Sequence, residues 1–221
     1  MNKKINLIFD FDSTFIELET IEVLAEISLK EHKNKKAITQ TIKEITNLAM
    51  SGKLSFNKAL SDRISLLDLK SEHIKNTSKF LMNKISSSFS ENINFFKQNR
   101  ENCYIISGGF KNIIHDIVKP FNFIEDNIFA NEFIFHKDRN ILLDTTNPLS
   151  MDNGKSSIAK KIEGYNIIIG DGYTDYEIKK YGAANIFIQF TENINRKNIN
   201  SKADLISNNF DQIISFIKKY S

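Results

Sequence analysis

The sequence predicts an α/β protein with a doubly wound, mostly parallel sheet and an inserted α-helical domain. Three observations favour this fold class. Short apolar runs of strand length recur, at residues 5–9, 103–106 and 166–169, and each ends in a polar loop. Amphipathic stretches with apolar residues three and four positions apart separate the later runs, as helices do. A helical pattern of about seventy residues interrupts this alternation directly after the first run.

The first strand ends in two aspartates, Asp10 and Asp12. An open α/β sheet carries its chemistry at the carboxyl ends of its strands. Side chains alternate along an extended chain, so both carboxylates project to one side if the strand continues through Asp12. Two close carboxylates favour either a bound divalent cation or a division of labour between a nucleophile and a proton-transfer group. The alternative is structural, with Asp12 capping a helix and Asp10 in a turn.

The helical block covers residues 14–85, and we interpret it as a cap domain that stands over the site. Residues 1–13 and 86–221 then form the catalytic core. Within the core, one amphipathic helix over 111–118 is stopped by Pro120. Alternating apolar residues predict a hairpin over 129–143, with residues 137–140 as its polar turn.

A second strand ends in Ser107, Gly108 and Gly109, which offer a hydroxyl and backbone N–H groups. Such groups suit an anion such as phosphate, although Ser107 could instead cap the following helix. Lys155 lies at a predicted helix start, where a cation is electrostatically disfavoured. An anionic partner would explain that position, and an ordinary surface lysine is the alternative.

The third strand is followed by Asp171 and Asp175 in a glycine-flanked turn. The carboxyl ends of parallel strands share one edge, so these aspartates should converge on Asp10 and Asp12. A few carboxylate oxygens around one point suit Mg²⁺. The sequence therefore predicts a magnesium site at this edge, with turn formation as the structural alternative for the glycines.

Composition excludes several classes of function. The 221 residues include 30 basic and 27 acidic side chains, a net charge of +3, which is too balanced for a charged nucleic-acid surface. The four histidines are dispersed and show no zinc-ligand spacing. Cys103 is the single cysteine, so no intrachain disulfide forms and a reducing compartment is the simpler assumption. Since no run resembles a signal peptide or a membrane span, we expect a cytoplasmic protein without a membrane partner.

Taken in order, the DxDST segment at Asp10, the serine at 107, the lysine at 155 and the GDGxTD segment at Asp171 resemble the four motifs of the haloacid dehalogenase-like (HAD) phosphatases. The resemblance spans nearly the whole chain, and within that superfamily it is strongest to the phosphoserine phosphatase family. It implies a Rossmann-like HAD core, Mg²⁺ as the cofactor, and hydrolysis of a small phosphorylated amino acid, O-phospho-L-serine, by a monomer or homodimer.

The resemblance also implies catalytic roles. Asp10 would form an aspartyl-phosphate, while Asp12 would protonate the leaving oxygen and then activate water. The metal ligands would be Asp10, Asp171 and the backbone carbonyl of Asp12. Phosphate oxygens would be held by three residues, with Asp175 positioning the last of them: Ser107, Gly108 and Lys155.

The cap would recognise the substrate. Glu19 would meet its ammonium group and Arg63 its carboxylate, because a guanidinium can grip a carboxylate with two parallel hydrogen bonds. Without the motif match, both are read as ordinary helix-surface charges. The remaining substrate contacts implied by the resemblance are Met50 and Phe56, which would close the pocket, together with Gly109 and Thr174.

Some features depart from the family pattern. Thr174 stands where many relatives carry asparagine, and residues 84–91 lack a proline and glycine turn. The nearer alternatives are a HAD phosphatase for another small phosphomonoester or a phosphotransferase with the same aspartyl-phosphate. Two alternatives of a different class are a phospho-aspartate receiver domain and a catalytically silent binding domain. A receiver would have no use for a seventy-residue insertion that carries Glu19 and Arg63.

Overall fold

The computed structural model describes residues 4–135 and 141–220. Its main sheet has six parallel strands, which confirms the predicted fold class. In their order across the sheet, these strands are β3 (Ile128–Asn131), β2 (Cys103–Phe110), β1 (Ile5–Phe9), β6 (Tyr165–Gly170), β7 (Ile186–Phe190) and β8 (Leu205–Ser207). The first strand lies in the middle, so its carboxyl end is at the centre of one sheet edge.

Helices cover both faces of this sheet. They are α5 (Ser87–Glu91), α6 (Ile93–Gln98), α7 (Lys111–Val118), α8 (Gly154–Ala159), α9 (Tyr173–Lys180) and α10 (Phe210–Ile217). Successive isoleucines of one strand belong to different core clusters: Ile167 and Ile169 face one side, and Ile168 faces the other. Because both faces are buried, the strands consist of continuous apolar runs instead of an apolar and polar alternation.

Phenylalanines anchor the end of β1. The protein has 18 of them, and Phe9 packs on Phe89 and Phe210 with ring centroids 5.7 and 5.8 Å apart. Phe15 contacts Phe89 at 5.1 Å. Such aromatic pairs add roughly 0.5–1.5 kcal/mol each beyond their buried area. The segment between Phe9 and Phe15, which carries both motif aspartates, is therefore held at each end by the core.

Four helices occupy the block predicted as a cap: α1 (Thr20–Ser28), α2 (Lys35–Met50), α3 (Phe56–Ser65) and α4 (Ser71–Leu81). The chain runs into and out of this block side by side, because Ile16 and Ile85 form an isolated antiparallel bridge. Two backbone hydrogen bonds flank the bridge, from Glu17 N to Lys84 O at 2.8 Å and from Ser86 N to Phe15 O at 3.0 Å. The two connections between the helical block and the core therefore lie next to each other.

Two sequence expectations about the core are corrected. Residues 128–131 are the edge strand β3 of the parallel sheet, and the antiparallel pair is shorter, β4 (Phe133–Phe135) with β5 (Ile141–Leu143). The predicted turn at 137–140 lies outside the described residues. Residues 107–109 do not follow strand β2 but belong to it, with a register shift against β3 between Ile106 and Phe110. In the part of the chain that the structure describes, no helix is long and apolar enough to cross a membrane.

Candidate active site

Strand β1 stops at Phe9, and Asp10 continues it by one extended residue. The next five residues form a wide turn closed by a hydrogen bond from Ile16 N to Phe11 O at 3.0 Å, in which Asp12 is extended and Ser13 adopts a left-handed conformation, with φ 54°. Strand β1 itself therefore does not reach Asp12. Asp12 instead turns its Oδ1 toward the start of α1, where it accepts hydrogen bonds from Thr20 N at 3.0 Å and from the Thr20 hydroxyl.

Lys155 is buried and joins two of the predicted aspartates. Its Nζ donates to Asp10 Oδ1 at 2.6 Å and to Asp175 Oδ1 at 2.7 Å. The other Asp175 oxygen accepts from Gly172 N at 3.0 Å. Burial alone would lower the pKa of Lys155, but the two carboxylates outweigh it and raise that pKa above its ordinary value. The surface-lysine alternative is thus wrong, and Lys155 is a buried cation.

Three buried carboxylates meet beside Lys155. Asp10, Asp171 and Asp175 each offer an oxygen, and these atoms lie within 4.8 Å of one another. Asp171 Oδ1 is buried without a hydrogen-bond partner in the described structure. Burial raises the pKa of Asp171 to about 7 even though Arg196 opposes this change, and burial beside Asp175 raises that of Asp10. A hard divalent cation fits an oxygen cluster with this excess of negative charge.

Ser107 does not cap a helix. The residue before α7 is Phe110, which makes no side-chain cap, and Ser107 Oγ accepts from Gly109 N at 2.9 Å. Gly109 lies where a Cβ atom would be 3.1 Å from Ser107 Oγ and 3.3 Å from Asp12 Oδ2. The end of β2 is therefore next to the proton-transfer candidate, Asp12.

The cap places Glu19 and Arg63 in the same pocket as Asp10, Asp12 and Lys155, and four more predicted residues line it: Met50, Phe56, Gly108 and Gly109. Phe56 covers Gly108 so closely that a Cβ atom there would lie 2.5 Å from the ring. Thr174 does not line this pocket. It lines an adjoining cavity that shares Phe56 and Lys155, and its buried hydroxyl has no hydrogen-bond partner among the described residues.

Arg63 is buried, with 3% of its surface exposed. Its Nε donates to Ala59 O at 2.9 Å and its Nη1 to Thr46 Oγ1 at 3.0 Å. None of the acidic side chains in the described residues forms an ion pair with it. Burial lowers its pKa, while the more distant Glu19 opposes this change. The surface-charge alternative is wrong for Arg63, which is a buried cation without an anion.

Glu19 is buried too, but it has partners. Its Oε1 accepts from Ser13 Oγ at 2.8 Å and pairs with Arg196 Nη2 at 3.2 Å. Arg196 also donates to Asp171 Oδ2 at 2.6 Å. Arg196 is not among the site residues predicted from the sequence, because those predictions rest on acidic and glycine-rich loops at strand ends. Its position six residues after the end of β7, at the same sheet edge, is a signal that could have found it.

The proton-transfer candidate has an environment suited to that role. Burial in the pocket and the nearby Glu19 raise the pKa of Asp12 to about 7, although the hydrogen bonds from Thr20 oppose this change. A carboxyl with a pKa near neutrality can both donate and accept a proton. A buried carboxylate cluster, a cation between two of its members and a nearby acid–base group together suit phosphoryl transfer.

No family model matches the chain. The phosphoserine phosphatase of Methanocaldococcus jannaschii is 31% identical over 229 residues, which cover 99% of this chain and 100% of that protein. A phosphoserine phosphohydrolase-like protein from Francisella tularensis has a solved structure with a TM-score of 0.86 and 32% identity, covering 96% of this chain and 99% of that one. A substrate-bound phosphoserine phosphatase complex has a TM-score of 0.76 and 26% identity over 98% of this chain and 99% of that one. With its motifs, fold and relatives in agreement, the chain belongs to the phosphoserine phosphatase family of the HAD phosphatases.

Proposed function

We propose that the protein is a Mg²⁺-dependent phosphoserine phosphatase that converts O-phospho-L-serine and water into L-serine and phosphate. The observation that carries the substrate is the buried guanidinium of Arg63, which has no acidic partner in the described residues. A substrate carboxylate would satisfy it with charge-assisted hydrogen bonds. Glu19 supplies a negative charge in the same pocket for an ammonium group.

In the first step, a carboxylate oxygen of Asp10 attacks phosphorus and the bond from phosphorus to the serine oxygen breaks. Asp12 donates a proton to that oxygen, so L-serine leaves as the neutral alcohol. In the second step, Asp12 takes a proton from water as the water oxygen attacks phosphorus. The bond from phosphorus to Asp10 then breaks, which releases phosphate and restores both carboxyl groups.

Other residues hold the reacting groups. Ser107, Gly108 and Lys155 bind phosphate oxygens, and Asp175 keeps Lys155 in place through the 2.7 Å contact. Mg²⁺ would be held by Asp10, Asp171 and the backbone carbonyl of Asp12, and when bound it supplies positive charge to the transferring phosphoryl group. The unpartnered Asp171 Oδ1 supports this ligand set.

The cap serves to exclude water. Phe56 packs on Gly108, and a Cβ atom at Gly172 would lie 3.0 Å from Met50 Sδ, so both side chains seal the pocket against the core. Exclusion of water strengthens the electrostatic contacts to the phosphoryl group. Thr174, in the adjoining cavity, contributes to substrate binding through its free hydroxyl.

The proposal also includes a cytoplasmic enzyme of serine biosynthesis that acts as a monomer or homodimer. The free, buried Cys103 is consistent with a reducing compartment. Light scattering of the purified protein measures the oligomeric state directly.

A panel of phosphomonoesters tests the substrate. Phosphate release is measured with Mg²⁺ on O-phospho-L-serine, O-phospho-D-serine, phosphoethanolamine, which lacks the carboxylate, and 3-phosphoglycerate, which lacks the ammonium group. Loss of the carboxylate should lower kcat/KM by about 30-fold or more, since a buried charged partner left unpaired costs about 2–5 kcal/mol. Loss of the ammonium group should have a smaller effect, because Glu19 keeps its contacts with Ser13 and Arg196. Equal kcat/KM values for phosphoethanolamine and phosphoserine would contradict the assignment. Added acceptor alcohols distinguish transfer from hydrolysis.

A further inference from the structure

Arg196 connects the core to the cap inside the active site. Its Nε donates to Asp171 Oδ2 at 2.6 Å, and its Nη2 pairs with Glu19 Oε1 at 3.2 Å. Nη1 reaches Asn47 Oδ1 at 3.5 Å. The arginine side chain is 8% exposed, while those of Asp171 and Glu19 are 1% and 9% exposed. One planar guanidinium therefore spans a metal-ligand candidate and a substrate-ligand candidate, both shielded from water.

The loop that carries Arg196 is itself fixed. Asn193 Nδ2 donates to Ser86 Oγ at 2.7 Å and lies 3.3 Å from Ser13 O, close to the two connections between the helical block and the core. Glu192 accepts from Ser88 N at 3.2 Å and also from the Ser88 hydroxyl. Because these contacts anchor the residues just before it, Arg196 approaches Asp171 from a set direction.

Arg196 uses only one oxygen of Asp171. The other, Oδ1, is fully buried and has no hydrogen-bond partner in the described structure. Leaving a buried carboxylate oxygen unpaired is costly unless a ligand satisfies it. A carboxylate held by one oxygen also presents the other in a defined orientation, as outer residues do for metal ligands.

We propose that Arg196 is a positioning residue of the cation site, which orients Asp171 so that Oδ1 is available to Mg²⁺ and links this carboxylate to Glu19. The inference rests on the metal site of the proposed function and is independent of the identity of the substrate. Outer residues of this kind change metal affinity by about 10–100-fold when they are replaced.

An electrostatic role and a positioning role of Arg196 predict opposite effects on Mg²⁺ affinity, so the two roles can be separated. A positive charge beside a cation site weakens cation binding, and its removal in Arg196→Gln would by itself strengthen Mg²⁺ binding. Loss of orientation would instead weaken it. Arg196→Lys keeps the charge but has no planar fork to hold two carboxylates at once. If only charge mattered, this variant would bind Mg²⁺ as the wild type does.

The test is isothermal titration of MgCl₂ into the metal-free wild type, Arg196→Lys, Arg196→Gln and the control Lys197→Gln, which removes an exposed positive charge from the next position. We expect the Mg²⁺ Kd to rise about 10–100-fold in both Arg196 variants and to stay unchanged in the control. Tighter binding by Arg196→Gln, or wild-type binding by Arg196→Lys, would overturn the proposal.

A second titration with CaCl₂ separates orientation from general damage. Mg²⁺ demands near-octahedral geometry, whereas Ca²⁺ tolerates irregular ligands, so misorientation of Asp171 should weaken Mg²⁺ binding more than Ca²⁺ binding. An equal loss for both ions would indicate structural damage and would contradict a positioning role. Thermal unfolding of each metal-free variant checks the fold, and Arg196→Lys carries the test if the glutamine variant is unstable. A wild type that binds no Mg²⁺ would overturn both this inference and the proposed metal dependence, while equal binding by wild type and variants would overturn this inference alone.

Discussion

The core side and the cap side of the pocket differ in how their charged side chains are paired. On the core side, Lys155 lies between Asp10 and Asp175, and Asp171 pairs with Arg196. On the cap side, Arg63 is buried and has no ion-pair partner in the described residues. The core side thus holds three buried carboxylates for two paired cations and keeps an excess of negative charge, whereas the cap side holds an unpaired cation. The proposed reaction and the proposed substrate recognition therefore rest on different groups, the first in the core and the second in the helical block.

The largest effect is expected from Asp10→Asn, which removes the proposed nucleophile on the core side. An amide does not attack phosphorus, so kcat should fall by roughly 10⁴-fold or more. Phosphate release under saturating substrate measures this loss. Asp116→Asn, an exposed aspartate on α7, is the matched control and should keep wild-type turnover. Full activity of Asp10→Asn would remove the proposed mechanism.

Arg63→Met tests the unmatched charge on the cap side. Removal of the carboxylate contact should lower kcat/KM for phosphoserine by about 30-fold or more, with little change for phosphoethanolamine. Replacing a buried charge by an apolar side chain of similar length should also raise Tm by a few degrees, since desolvation of the guanidinium is unfavourable. Activity on both substrates and calorimetry of the free protein provide the readouts. A parallel loss on both substrates would contradict a role in carboxylate recognition, and Arg100→Met is the exposed control.

Gly108→Ala tests the contact between the two sides. A Cβ atom at this position would lie 2.5 Å from the Phe56 ring, so this ring must move away and the contact between α3 and the core must loosen. We expect kcat/KM to fall by roughly tenfold, because small misplacements of a catalytic site reduce rates strongly. Adding Phe56→Leu should restore part of the loss relative to Phe56→Leu alone. Additive losses in the double variant would show that cap closure is not what residue 108 controls.

The smallest effect concerns Glu22, which lines a cavity of about 480 Å³ bounded by α1, α2 and α4, together with Glu19 and Glu26. Burial and the neighbouring Glu19 raise the pKa of Glu22. A carboxyl whose pKa is raised on folding favours the native state at low pH and loses that contribution as pH rises through the folded pKa. Glu22→Gln should therefore raise Tm by about 1–2 °C at pH 7 and leave it unchanged at pH 4. A Tm gain of equal size at both pH values would contradict the titration, and Glu26→Gln is the exposed control.

Much of the fold and site could be predicted because the signals are local. The runs before Asp10 and Asp171 are continuous apolar strands, and the rule that parallel strands share their carboxyl edge brings the two aspartates together. The place of Lys155 at a helix start indicated an anionic partner, while its assignment to the site came from the family resemblance. Their burial and contacts agree with these local signals, although the metal and catalytic roles remain proposals.

The rest depends on contacts between distant parts of the chain. Arg196 lies 25 positions from Asp171 and 177 from Glu19, so neither partner is visible in its local sequence. The prediction that residues of strand β3 form one arm of a hairpin is wrong, because a short apolar run has the same pattern in a hairpin and in the edge strand of a parallel sheet. The turn after Asp10 also has no signal in apolar periodicity, because serine is not a residue type that marks a left-handed position such as that of Ser13.

The bridge between Ile16 and Ile85 has an evolutionary consequence. Since the two connections to the helical block lie side by side, this block is an insertion in the core whose two ends are adjacent. Closing a short turn across so small a gap costs little chain entropy, and insertions at sites with adjacent ends are well tolerated. During evolution, another inserted domain could therefore replace the helical block, which carries the proposed substrate contacts, while the proposed catalytic residues of the core stayed the same. New substrate preferences would then arise by replacement of a module instead of by redesign of the chemistry.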